Sequence, residues 1–247
     1  MKRVLILGGT ADASLLVARV ALIEGVEAHA SLAGRTKQPL TPAGNVRIGG
    51  FGGVAGLVNY LRNERIDLVI DATHPFAAQI SFNAAEAASV CGIPHLMLRR
   101  KAWEAVVGDR WIEVESNQAA AAALQGLAKR VFLTIGRQEL AAFAHLKDIW
   151  FLMRMIDPPE LDAAVPKGEL LLERGPFALE HERELLVKYG IEAIVSKNSG
   201  GDATYAKIIA ARELELPVVM VKRPPIPEGE IVADVESALA WLMKHLS

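Results

Sequence analysis

The stretch Gly8-Gly9-Thr10-Ala11-Asp12-Ala13 follows the apolar run Val4 to Leu7 and opens a segment whose apolar residues recur at helical spacing. A strand that runs through glycines into a helix aims backbone N–H groups and the positive helix end at one spot, which suits a pyrophosphate. The pattern Gly8-x-Thr10-x-x-Ala13 departs from G-x-G-x-x-G but keeps the tight turn and the small residue for helix packing. A merely tight strand-to-helix turn reads the same way at this level.

The end of the second expected strand narrows the choice of nucleotide. An NAD site carries a carboxylate there for the ribose diol, whereas this chain reads Ser31-Leu32-Ala33-Gly34-Arg35-Thr36, and Glu27 sits at the strand's start. Ser31, Arg35 and Thr36 supply hydroxyls and a planar guanidinium, groups that bind a phosphate dianion. NADPH is therefore expected over NADH, unless Arg35 is a solvated loop residue.

Two further segments are expected at the same site. Gly49-Gly50-Phe51-Gly52-Gly53, four glycines around one aromatic, permits close backbone approach to the nucleotide, with Gly50 a candidate contact, or is a flexible connector. Asp71-Ala72-Thr73-His74-Pro75 puts Thr73 and His74 at a strand's carboxyl end, where open α/β sheets bind ligands. His74 is either catalytic or structural.

The second half carries cations at its strand ends: Arg137, Arg154, Arg174 and Lys197. In a chain of net charge -2 such a gathering suits a substrate with several negative charges. Ordinary salt bridging is the alternative for each, with Arg174 able to meet Glu180 or Glu182. Ser196-Lys197-Asn198-Ser199-Gly200-Gly201 reads as an anion-binding nest before a helix. Tyr205 either packs or donates a proton.

Positioning these residues requires parallel sheets with crossover helices, because short apolar runs alternate with Ala- and Leu-rich helical stretches throughout. The two halves correspond: KRVLILGG (2–9) resembles KRVFLTIG (129–136), IDLVIDATHPFA resembles IEAIVSKNSGGDA, and IPHLMLRR resembles LPVVMVKR. The expected organisation is α/β, with an NADP-binding Rossmann-like domain over 1–127 and a substrate-binding one over 128–247. Cofactor and substrate are then expected in the cleft between the domains. The competing boundary is Arg99-Arg100-Lys101, which applies if the terminal strand and helix dock on the other domain.

Composition excludes several classes. The near-neutral charge lacks the positive field for nucleic acid or anionic membranes, and no stretch approaches the ~20 apolar residues of a membrane span. Cys91 is alone, so no internal disulfide forms and it reads as a buried small hydrophobe; no metal site is expected. A soluble, cytoplasmic protein is expected.

In combination, LILGGTADA, SLAGRT, GGFGG, DATHPFAAQIS, TIGRQEL, RGPF, SKNSGGDATYAK and PVVMVKRP make this sequence resemble the precorrin-6A reductases of cobalamin biosynthesis over nearly its whole length. The resemblance implies two Rossmann-like domains and NADPH-dependent reduction of a carbon–carbon double bond of precorrin-6A, giving precorrin-6B. It puts Gly8, Gly9, Thr10, Ser31, Arg35, Thr36 and His74 on the nucleotide side and the SKNSGG loop and Tyr205 on the substrate side, with the nicotinamide extending toward Thr73 and His74. A polyanionic tetrapyrrole-derived substrate accounts for Arg137, Arg154, Arg174 and Lys197, and neighbouring pathway enzymes are possible partners. The proton donor stays open among water, His74, Lys197 and Tyr205. Three alternatives remain: the reductase of the cobalt-containing branch, a two-domain nucleotide-sugar glycosyltransferase, and a non-catalytic NADP sensor.

Overall fold

The computed structural model describes residues 1–34 and 45–246. The chain divides into two units, one built from Met1–Lys101 with Pro224–Ser247 and the other from Ala102–Arg223.

The first unit contains β1 (Lys2–Leu7), α1 (Ala11–Val20), β2 (Val26–Leu32), β3 (Asn45–Ile48), α2 (Gly53–Asn63), β4 (Leu68–Asp71), α3 (Ala78–Cys91) and β5 (His95–Leu98). The second contains β6 (Arg110–Val114), α4 (Asn117–Ala123), β7 (Arg130–Thr134), a 3₁₀ helix (Arg137–Phe143), β8 (Trp150–Met155), β9 (Gly168–Leu172), α5 (Leu179–Lys188), β10 (Ala193–Lys197), α6 (Ala206–Glu213) and β11 (Pro217–Val221). The chain then returns to the first unit as β12 (Glu230–Val232) and α7 (Val235–Leu246).

Each unit holds one six-stranded sheet, in the order β12-β5-β4-β1-β2-β3 and β6-β11-β10-β7-β8-β9. All pairings are parallel. The central strands read as continuous apolar runs because both faces are covered. On β1, Val4 and Ile6 join the core under α1 and α7, while Leu5 and Leu7 join the core under α2 and α3. In the second unit Phe132, Ile194 and Met220 pack beneath α5 and α6. The segments matched in sequence occupy matched places: β1 and β7, β4 and β10, β5 and β11.

The expected boundary at 127/128 is corrected. β6 pairs with β11 in the second sheet, Pro217 opposite Arg110, and β12 pairs with β5 in the first, Glu230 opposite Leu96. Each of these edge units has docked on the sheet that its sequence position does not suggest, so the first crossing falls at 101/102, beside the competing site Arg99-Arg100-Lys101. The reason is physical: Val235, Ala238, Trp241 and Leu242 of α7 complete the core over α1. Cys91 is half-buried against the α2–α3 core rather than fully enclosed.

Candidate functional site

The order of the first sheet reverses direction between β1 and β4, and crevices outside the carboxyl ends of such strands are where open α/β sheets bind ligands. At the end of β1 the Gly8 N–H donates to the Ser31 carbonyl at 2.8 Å. A Cβ on Gly8 would meet Leu32 at 3.2 Å and the Ala13 Cβ at 3.5 Å, so the small residues there let α1 approach. Gly9 has φ +109° and open space where a side chain would stand. Thr10 caps α1: its Oγ1 accepts from the Ala13 N–H at 3.1 Å and donates to the Ala72 carbonyl at 2.8 Å. The hydroxyl is thereby committed to joining the β1 and β4 ends, and the turn's offering to an anion is its backbone. Asp12, in the same first turn, is paired with Arg100 at 3.1 Å.

Ser31 is buried within β2, and its carbonyl carries the contact to Gly8. No acid follows β2 among the described residues; Glu27, at its start, is taken by Arg3 (2.9 Å) and Asn45 (2.7 Å). Arg35 and Thr36 lie outside the described residues. Gly49, Gly52 and Gly53 all adopt positive φ, and Gly50 offers its carbonyl to Arg47 at 2.7 Å. The Arg47 guanidinium, which the sequence reading missed, also donates to the Gly49 carbonyl and stacks 4.1 Å above Phe51. An arginine on an edge strand carries no sequence mark of this role. Burial raises the pKa of the neighbouring Tyr60, with Glu64 adding to the effect.

At the end of β4 the 2 % exposed Asp71 accepts from the Thr73 N–H (3.0 Å) and hydroxyl (2.6 Å). His74 Nδ1 accepts from the Phe76 N–H at 3.2 Å, which leaves the proton of a neutral ring on Nε2. Arg99 donates to the Pro75 carbonyl at 2.8 Å. Burial lowers the pKa of both Arg99 and His95, and the Asp71 charge opposes that in each.

The second unit's cations have partners, which corrects part of the expectation. Arg154 is 6 % exposed and bound in a two-pronged ion pair with Glu182, itself 0 % exposed, with the Phe177 ring 3.6 Å from its guanidinium. Its charge belongs to the fold rather than to a ligand, and Glu182 is thereby removed as a partner for Arg174, which is exposed. Asn198 is buried and spends its side chain on Trp103, whose N–H donates to Oδ1 at 2.8 Å and whose carbonyl accepts from Nδ2 at 2.9 Å. The carbonyls of Asn198 and the buried Ser199 accept from Arg223. Those two residues therefore brace the loop. Lys197 lies 3.4 Å from Glu139, and Arg137 donates to the Pro158 carbonyl and to Glu160, each at 3.1 Å. Arg137 and Glu160 line a cleft of about 210 Å³ with Gln138, Ala141 and Pro159. The Tyr205 hydroxyl accepts from Arg212 at 3.0 Å and its ring packs on Trp103.

Lys207, two residues further, is buried, donates to the Thr204 carbonyl at 3.1 Å and places its ammonium over the Trp103 ring, 5.2 Å from the centroid. Burial and the Arg154 charge pull its pKa down to about 7, against the pull of Glu182. No group of three or more His, Cys, Asp or Glu able to hold a metal occurs among the described residues, and no described helix is long and apolar enough to cross a membrane.

Fold and site together define a protein of two linked Rossmann-like α/β units, with a glycine-turn crevice in the first. Residues 3–243 match the family described as precorrin-6x reductase CbiJ/CobK, and the chain belongs to that family of reductases. It is 51 % identical over 243 residues to a precorrin-6A reductase of Rhodococcus erythropolis, covering 98 % of each chain. A solved structure titled CobK precorrin-6A reductase superposes with a TM-score of 0.93 at 46 % identity, covering 99 % of this chain and 97 % of that one. A cobalt-precorrin-6A reductase of Priestia megaterium is 29 % identical over 76 % of this chain and 78 % of its own.

Proposed function

We propose that this protein reduces a carbon–carbon double bond of precorrin-6A to give precorrin-6B, with NADPH bound by the first unit and the macrocycle's carboxylates held by the second. The observation that carries the nucleotide assignment is the β1 turn: Gly9 open above the amino end of α1, with Thr10 tying that turn to β4. These residues fit a dinucleotide, since the turn presents backbone N–H groups to a pyrophosphate and no acid after β2 competes for a 2′-phosphate among the described residues. Ser31, Arg35 and Thr36 are assigned to the 2′-phosphate end, and Thr73 and His74 to the nicotinamide end.

NADPH supplies the hydride when bound, so the protein's own contribution is positioning and electrostatics. Asp71 fixes Thr73, and the Phe76 N–H fixes the His74 ring with its N–H at Nε2. The hydride adds to one carbon of the conjugated system and a proton to its neighbour; His74 Nε2–H, Lys197 and water are the candidates for that proton. Tyr205 is a fourth candidate, because its hydroxyl accepts from Arg212 and keeps its own proton to donate. The much weaker identity to the cobalt-branch relative favours the cobalt-free substrate. Family membership leaves no support for a glycosyltransferase or a non-catalytic sensor.

The test is fluorescence titration of the protein with NADPH and NADH, followed by turnover of precorrin-6A. Tight NADPH binding with much weaker NADH binding is expected. Failure of either nucleotide to bind overturns the assignment. Lys197→Ala is expected to raise the KM for the macrocycle about tenfold, the loss of one charge-assisted contact, and to leave the NADPH Kd unchanged.

A further inference from the structure

The basic stretch Arg99-Arg100-Lys101 enters the sequence reading only as a boundary marker, yet its two arginines reach opposite lips of the β1/β4 crevice. Arg99 is fixed at the carboxyl end of β5 by its own N–H, which donates to the Val232 carbonyl at 2.8 Å. Its guanidinium turns back to the Pro75 carbonyl at 2.8 Å. Arg100, one residue on, reaches Asp12 in the first turn of α1 at 3.1 Å.

Asp12 poses an electrostatic conflict. A carboxylate in the first turn strengthens the helix by complementing its positive end. The same charge stands where the turn would receive a diphosphate, and like charges at that range repel. A guanidinium against the carboxylate removes the conflict while leaving the backbone N–H groups available. On the other lip, Pro75 follows His74, so the Arg99 bond holds the peptide that orients the imidazole.

We infer that Arg99 and Arg100 are positioning residues of the dinucleotide crevice: Arg100 neutralises Asp12 beside the pyrophosphate seat, and Arg99 holds the His74–Pro75 turn at the nicotinamide end. This rests on the NADPH reading above and goes beyond it by assigning two residues that touch neither reacting atom.

The experiment measures NADPH Kd by fluorescence, and kcat and KM with precorrin-6A, for wild type, Arg100→Ala, Asp12→Asn, the Arg100→Ala/Asp12→Asn double variant and Arg99→Lys, with thermal melts alongside. Arg100→Ala is expected to weaken NADPH about tenfold with kcat at saturation within about twofold. Asp12→Asn is expected to bind at least as tightly as wild type, and the double variant to return to within about twofold of it. Arg99→Lys is expected to lower kcat about fivefold while the NADPH Kd stays within about twofold. Arg100→Ala binding as tightly as wild type, or the double variant binding as weakly as Arg100→Ala, overturns the compensation. Loss of Kd, kcat and melting temperature together in Arg99→Lys overturns its positioning role. Should wild type itself not bind NADPH, it is the nucleotide reading that fails.

Discussion

The two units share a strand order and differ at the ends of the same two strands. In the first, β1 runs into Gly8-Gly9 and a capped α-helix, leaving a backbone-lined turn. In the second, β7 runs through Gly136, also at positive φ, into a 3₁₀ helix with no side-chain cap, and Glu139 in its first turn is engaged by Lys197 and by Asn117. Both turns leave open space at the glycine, but the first leads into the amino end of a capped α-helix, while the second is followed by a 3₁₀ turn whose Glu139 carboxylate is already paired. An architecture that repeats does not repeat its chemistry; the residues just past two strand ends decide it.

That contrast can be broken in several ways. The largest effect is expected where the second unit's charge is structural. Glu182→Ala removes the two-pronged partner of the buried Arg154, leaving it the more distant Glu173 at 3.7 Å, and should cost about 3–5 kcal/mol in a denaturant melt. Asp12→Asn, which breaks the half-exposed pair of the first unit, should cost under about 1 kcal/mol. Comparable losses would mean that charge plays the same role in both units.

Next in size, Gly9→Val should weaken NADPH about a hundredfold, or roughly 2.7 kcal/mol, by forcing a branched residue to positive φ over the pyrophosphate seat. Gly136→Val, equally strained, should leave the NADPH Kd within about twofold. Equal losses in nucleotide affinity would show that the second turn also serves the nucleotide.

The smallest effect concerns Lys207. Its folded-state pKa, about 7, lies below the ordinary 10.5, so between those values the unfolded chain binds the extra proton and stability rises with pH. Below about pH 7 both states are protonated and this group contributes no slope. Lys207→Met should stabilise the fold at neutral pH by on the order of 1 kcal/mol and flatten the rise above pH 7. An unchanged pH profile would mean that the pull of Glu182 keeps the buried amine protonated against burial and the Arg154 charge.

Much of this was legible in the sequence because the signals are local. Val4 to Leu7 followed by two glycines announces a doubly covered strand and a tight turn, and the internal repeat predicted matched central strands. The ownership of β6 and β12 was not legible, since a short edge strand with an amphipathic helix satisfies either sheet. Arg154 reads as a substrate cation until Glu182, on a helix packed across the strand, is seen to hold it. Asn198 reads as a ligand-binding amide for the same reason: its partner, Trp103, is far away in the chain. A local pattern reveals a residue's chemistry but not whether a distant partner has already consumed it.

The exchange of edge units also bears on synthesis. β12 and α7, which close the first sheet and cover α1, are synthesised after every strand of the second unit. The second unit has every strand it needs by residue 221, whereas the first must wait with the open edge of β5 and one face of α1 uncovered. The unit that is made first finishes last, and that interval is when it is most exposed to mispairing.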